Sequence, residues 1–171
     1  ADVNQEGNIG AVNRPGYQEF TALQLACENG HTEVASLLIE HHANVNQANN
    51  DGWTALISAC QLGHTEAASL LLERGADVNQ AKNDGTTALM LACACGHTLA
   101  VTVLLEARAD VDARDRGKGK TSLHLACERG QHAVLSAGKT PRALTIVRMV
   151  DIPHAILGYR VPGHASPLAR E

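Results

Sequence analysis

Thr54-Ala55-Leu56-Ile57-Ser58-Ala59-Cys60-Gln61-Leu62-Gly63-His64 opens a passage that closes on Gly75-Ala76-Asp77-Val78-Asn79. The same landmarks stand 33 residues earlier, as Thr21-Ala22-Leu23, Ala26-Cys27, Gly30-His31 and Ala43-Asn44-Val45-Asn46. They return 33 residues later, as Thr87-Ala88-Leu89, Ala92-Cys93, Gly96-His97 and Ala109-Asp110-Val111-Asp112. A fourth copy starts after a 34-residue step at Thr121-Ser122-Leu123-His124-Leu125-Ala126-Cys127 and reaches Gly130. Self-similarity at one period is the signature of an array whose units bury their apolar faces on each other.

Inside a unit the apolar residues have helical spacing. Leu23, Ala26 and Cys27 lie at i, i+3 and i+4, and after Gly30 the set Val34, Leu37 and Leu38 repeats the pattern, so each unit reads as two short antiparallel helices. Thr21, Thr54 and Thr87 stand where an N-cap hydroxyl is wanted, and the Gly before each His ends the first helix. Segments such as Asn49-Asn50-Asp51-Gly52 carry turn chemistry and are expected to project as fingers between units.

A turn plus two helices in 33 residues, with a Thr-x-Leu opening, a Gly-His hinge and a Gly-Ala-Asp-Val-Asn tail, resembles the ankyrin repeat over residues 16 to about 132. The resemblance implies an all-α solenoid of stacked helix-turn-helix units with protruding β-turn or hairpin fingers. The family's Thr-Pro-Leu-His opening is altered: Pro is replaced by Ala or Ser in every copy, and its His survives only as His124. The tail glycine is kept as Gly75 but replaced by His42 and Arg108, at positions that ordinarily need a left-handed backbone, at about 1 kcal/mol each.

The organisation read from these landmarks is a tail of a preceding repeat plus an extended first finger over 1–15 and units at 16–46, 47–79 and 80–112. A partial unit at 113–133 and an irregular basic segment at 134–171 complete it. Ala1-Asp2-Val3-Asn4 matches a unit tail, yet Ala43 lies 42 residues on, nine beyond the period, so an insertion is expected within Gln5 to Tyr17. The array reads as cut mid-repeat from a longer protein. After His132 the paired leucines and acidic tail fail to recur, and Pro153, Pro162 and Pro167 interrupt the remainder of the chain. That segment is open to three readings: an irregular cap, a basic disordered tail, or sequence unrelated to the fold.

Composition fits this picture. Of 171 residues 44% are apolar and only 2% aromatic, so disorder over most of the chain is disfavoured and the core must be built from Ala, Leu, Val and Cys. The net charge of −4 hides a split. Residues 1–113 hold 4 Lys and Arg against 14 Asp and Glu (−10), and residues 114–171 hold 10 against 4 (+6). Neither a membrane span nor a secretory h-region is visible, and the free cysteines suit a reducing compartment, so the expected location is intracellular, cytoplasmic or nuclear.

Candidate chemistry reads as structure. Cys27, Cys60, Cys93 and Cys127 occupy one slot in successive units, too far apart for disulfides or a shared metal, and are expected as buried fillers. Cys95 lies in a different slot and is expected to be exposed. His31, His64 and His97 occur once per unit, which gives no metal site. Gly117-Lys118-Gly119-Lys120-Thr121 and Gly138-Lys139-Thr140 end like phosphate loops but have Arg114 and Ala133 where the motif needs its first Gly. Nothing in the pattern supports catalysis, a cofactor or a small-molecule substrate, and the expected state is a monomer.

The remaining expectation is binding of another protein. In the resembled family, partners lie against the fingers and first helices. The position before each Thr is Phe20, Trp53, Thr86 and Lys120; a second line runs Glu28-Asn29, Gln61-Leu62, Ala94-Cys95 and Glu128-Arg129; Tyr17 precedes the first finger aromatic. The candidate contact residues are therefore Tyr17, Phe20, Trp53, Glu28, Asn29, Gln61, Leu62, Cys95, Lys120 and Arg129, with the aromatics as exposed anchors or, alternatively, as rings that stiffen adjacent fingers. Leu70 to Asn79 also resembles the site that intracellular asparaginyl hydroxylases modify in ankyrin repeats, which marks Asn79 as a modification candidate. The basic finger of Arg114, Arg116, Lys118 and Lys120 is a third, nucleic-acid candidate, disfavoured by its missing aromatics and the acidic array beside it.

Overall fold

The small-residue core forms as the periodicity requires. The computed structural model describes residues 20–131, 133 and 134. Tyr17, the 1–15 segment, Gly138-Lys139-Thr140 and the rest of the 135–171 segment lie outside the described residues. Seven helices are present among the described residues: α1 (Ala22–Glu28), α2 (Thr32–Glu40), α3 (Ala55–Leu62), α4 (Thr65–Glu73), α5 (Ala88–Cys95), α6 (Thr98–Glu106) and α7 (Ser122–Glu128). Odd-numbered helices pack on one another in chain order, α2, α4 and α6 do the same, and each pair packs internally. The result is two parallel rows of helices, one unit contacting the next.

Local chemistry sets each helix. Thr21, Thr54 and Thr87 accept the backbone N–H three residues on, the N-cap bond expected of them. In α1 the box is closed by Gln24, whose Oε1 accepts the Thr21 N–H at 2.8 Å, and in α7 His124 Nδ1 takes that role at 3.3 Å. Helices α3 and α5 end on left-handed Gly63 and Gly96.

Columns of equivalent residues build the core. Leu56, Leu89, Ala59, Ala92, Cys60 and Cys93 are buried along the first helices, and Ala68, Leu71, Val101 and Leu104 along the second. Each fully buried Leu contributes about 1.5–3 kcal/mol, while Ala between them lets the rows approach closely. The cysteines behave as fillers, though Cys127 is only half-buried, and Cys95 is exposed as expected. At the far end residues 133 and 134 are helical, and Val134 is buried in the slot that Ala100 fills one unit earlier.

Polar links lock one unit to the next. Gln24 Nε2 donates to the carbonyls of Gln47 at 3.0 Å and Trp53 at 2.6 Å. The hinge histidines reach back one unit: His64 Nε2 meets the Glu28 carbonyl and His97 Nε2 the Gln61 carbonyl, both at 3.0 Å. In the fourth unit Gln131 replaces the histidine, and its Nε2 donates to the Ala94 carbonyl at 3.4 Å.

Candidate functional site

Each of the three fingers among the described residues is a tight turn closed by its own backbone. Asn49 and Trp53, Lys82 and Thr86, and Asp115 and Lys120 are joined N–H to carbonyl at 2.9–3.0 Å. Carboxylate or amide oxygens brace the turns: Asn49 Oδ1 accepts the Asp51 and Trp53 N–H groups, Asp84 Oδ1 that of Thr86, and Asp115 Oδ1 those of Lys118 and Lys120. This is the turn chemistry that Asn and Asp supply.

Neighbouring fingers are bonded side to side. The Asn83 N–H donates to the Asp51 carbonyl at 3.1 Å and its Nδ2 to the Asn50 carbonyl at 2.7 Å. One unit on, the Arg116 N–H donates to the Asp84 carbonyl at 2.8 Å and its Nη1 to the Asn83 carbonyl at 3.1 Å. The fingers thus form a linked rim. At the fourth unit Lys120 pairs with Glu128 on α7, joining the rim to the first-helix row.

Electrostatics are set by these contacts. The Asp115 carboxyl is held below the usual carboxylate range, chiefly by the Lys120 N–H bond and then by the Lys118 N–H bond. Glu128 is lowered by its hydrogen bond to Lys120. For Asp84 desolvation pushes upward, and the Thr86 and Lys82 contacts outweigh it to leave the group lowered. Burial pushes the thiols of Cys27, Cys60 and Cys93 up to about 12, which leaves them protonated and inert. Among the described residues no group of three or more His, Cys, Asp or Glu is placed to hold a metal.

The structure separates the candidate contact residues. Asn29, Leu62, Cys95 and Arg129 are exposed at the ends of the first helices, in one column, as read from the sequence. Leu62 leaves 47% of its surface open. Glu28 and Gln61 are half-buried, and their carbonyls hold the hinge histidines. Lys120 is half-buried and paired.

Phe20 corrects the expectation of exposed aromatic anchors: it is 8% exposed and belongs to the interior. A ring of that size removes so much apolar area from water when covered that burial prevails wherever the packing allows it. Trp53 is half-buried, packs against the core, and carries the Lys82 ammonium 4.4 Å from its ring centre. Lys82 also pairs with Asp84 at 3.1 Å. Of the aromatic pair, one ring is internal and the other ties two fingers together.

Asn79 is exposed, with its side chain engaged. Its Oδ1 accepts the Asp110 N–H at 2.7 Å, as Asn46 Oδ1 accepts the Asp77 N–H at 2.8 Å one unit earlier. This tail ladder, the backward reach of the hinge histidines and the Trp53–Lys82 contact escaped the sequence reading. The signal for the first two was the period itself, since residues that recur in register stand side by side in a stack. Leu99, 70% exposed at the start of α6, was likewise not singled out.

A family model described as ankyrin repeats, in three copies, matches residues 3–82 and 77–137. No curated protein matches the chain. Among the described residues no helix is long and apolar enough to cross a membrane.

Proposed function

This chain belongs to the ankyrin-repeat family, and on that premise we propose that it binds another protein against the face made by its fingers and first helices. Ankyrin repeats are in general protein–protein interaction modules. The observation that carries the reading here is a division of labour. Inter-unit bonds occupy the finger backbones, Gln24, His64 and His97, which makes the support rigid. The column of Asn29, Leu62, Cys95 and Arg129 stays exposed upon it. A rigid support lowers the ordering cost of binding, and an exposed Leu between polar neighbours provides an apolar anchor. The reading needs neither cofactor nor small-molecule substrate.

Cys95 supplies the test. Coupled to a maleimide photocrosslinker, its exposed thiol should capture the partner from cell extract, and Leu62→Arg should lower capture about tenfold or more while leaving circular dichroism unchanged, since Leu62 is exposed. Capture indifferent to that substitution would overturn the assignment of this face.

A second reading concerns Asn79, whose exposure supports its modification by an asparaginyl hydroxylase. Its Oδ1 is engaged with Asp110, so the tail must open for an enzyme to take it. A mass gain of one oxygen on Asn79 after incubation with such an enzyme supports this reading, and an unmodified peptide removes it.

A further inference from the structure

The two ends of the proposed binding face differ in charge. Residues 20–112 hold three Lys and Arg against eleven Asp and Glu, a net −8, whereas residues 113–130 hold five against two, a net +3. The positive end is a folded element. The Arg114 guanidinium donates to the Gly119 carbonyl at 2.9 Å, Arg116 is tied to Asn83 and Asp84, and Asp115 fastens the turn. Lys120 pairs with Glu128 and so sets this finger against the end of α7, from which Arg129 projects exposed. Lys118 at the tip is exposed as well. A cation whose side chain is already positioned, as Arg116 is on the Asn83 carbonyl, attracts a complementary anion at less entropic cost than a mobile one. Lys118 and Arg129 add charge from backbone positions that the turn and the end of α7 hold. Along the first-helix row the next exposed groups are Cys95 and then Leu62, an apolar stretch leading away from the charge.

We propose that this end of the face recognises an acidic peptide segment: Asp or Glu side chains against Lys118, Arg116 and Arg129, with an apolar side chain beyond them toward Cys95 and Leu62. The inference rests on the binding face proposed above and names the chemistry of its partner. A protein segment fits better than a nucleic acid. A polyanion extending along the row would meet the −8 region, and Trp53, two fingers away, is half-buried beneath Lys82 rather than offered for base stacking. A short acidic segment ends before that region and gains from the contrast, because the rest of the face repels its acidic end and fixes its direction.

Fluorescence anisotropy on the full chain tests this. The probes are labelled peptides of about 12 residues with two leucines beside a run of Asp and Glu, the same peptide with Lys for each acid, and single-stranded DNA of like length, at roughly 50 and 200 mM salt. The acidic peptide should bind at least about tenfold tighter than its lysine counterpart and weaken as salt rises. Lys118→Glu with Arg129→Glu should abolish that preference. Neither side chain makes the hydrogen bonds that frame the finger, and circular dichroism should be unchanged. Binding of the acidic peptide unaffected by the double reversal, equal binding of both peptides, binding of neither, or tighter binding of the DNA would each overturn the proposal. Failure here is separable from failure of the face itself: partner capture at Cys95 that responds to Leu62→Arg but not to the charge reversal keeps the face and removes the acidic preference.

Discussion

Gly75 has φ +86°, and the residues in its place one unit before and after, His42 and Arg108, have φ +67° and +66°. An L side chain in that region crowds its own backbone, so the two units bear a strain that the middle one avoids. Arg108→Gly should stabilise by about 1 kcal/mol and raise the melting temperature. A lower melting temperature would mean that the backbone at this position does not carry the strain. Gly63 is constrained twice: its φ is +78°, and a Cβ there would lie 2.6 Å from His97 Nδ1. At Gly75 a Cβ meets nothing within 4 Å. Gly75→Ala should therefore cost about 1 kcal/mol of backbone strain, and Gly63→Ala more, because it also pushes the His97 ring off the Gln61 carbonyl. Equal losses in denaturant titrations would show that the ring yields without cost.

Among elements, the fourth finger depends on a charge. The Asp115 carboxyl is lowered because its ionised form accepts the Lys120 and Lys118 N–H groups. A group whose folded pKa lies below its unfolded value stabilises fully above the unfolded carboxylate range. That contribution is lost as pH falls through the depressed folded value, here below about 4. The finger should loosen in acid while the helices persist. The Lys120 amide resonance, tracked from neutral pH downward, should move with the titration of Asp115, and Asp115→Asn should remove that pH dependence. A Lys120 resonance that shifts identically in both proteins would show that the turn is held by its backbone alone. The lowering of Glu128 through Lys120 has the same sign, so both groups favour a formed finger at neutral pH.

On the scale of the whole molecule, stability is shared along a row of nearest-neighbour contacts, and the cysteine column reports on it. Cys27, Cys60 and Cys93 lie inside with thiols raised to about 12, Cys127 is half-buried and also raised, and Cys95 is exposed. Thiol titration of the native protein should label Cys95 first, Cys127 more slowly, and the three interior thiols only as the stack opens. Mass spectrometry of the labelled protein gives the order, and Cys60 reacting as fast as Cys95 would refute a cooperative central stack. The open side of α2 shows what stacking covers. Val34 and Leu37 are exposed there, while Ala67 and Leu70 in the same slots of α4 are buried and half-buried.

What the sequence determined by itself is everything the period encodes. Thr21, Thr54 and Thr87 as caps, Gly63 and Gly96 as helix ends, the cysteine column and the exposed slot of Cys95 all come from a pattern repeated in register. Such features rest on spacing along one chain, which is what a sequence displays. The tertiary structure decided how exposed each ring is and which partners each side chain finds across units. Phe20 and Trp53 share a slot, yet one is internal and the other lies half-covered beneath Lys82, and Asn79 is at once exposed and bonded to Asp110. Those outcomes depend on contacts between residues about one period apart in the chain. A pattern places such residues near each other, but only packing settles which surfaces close.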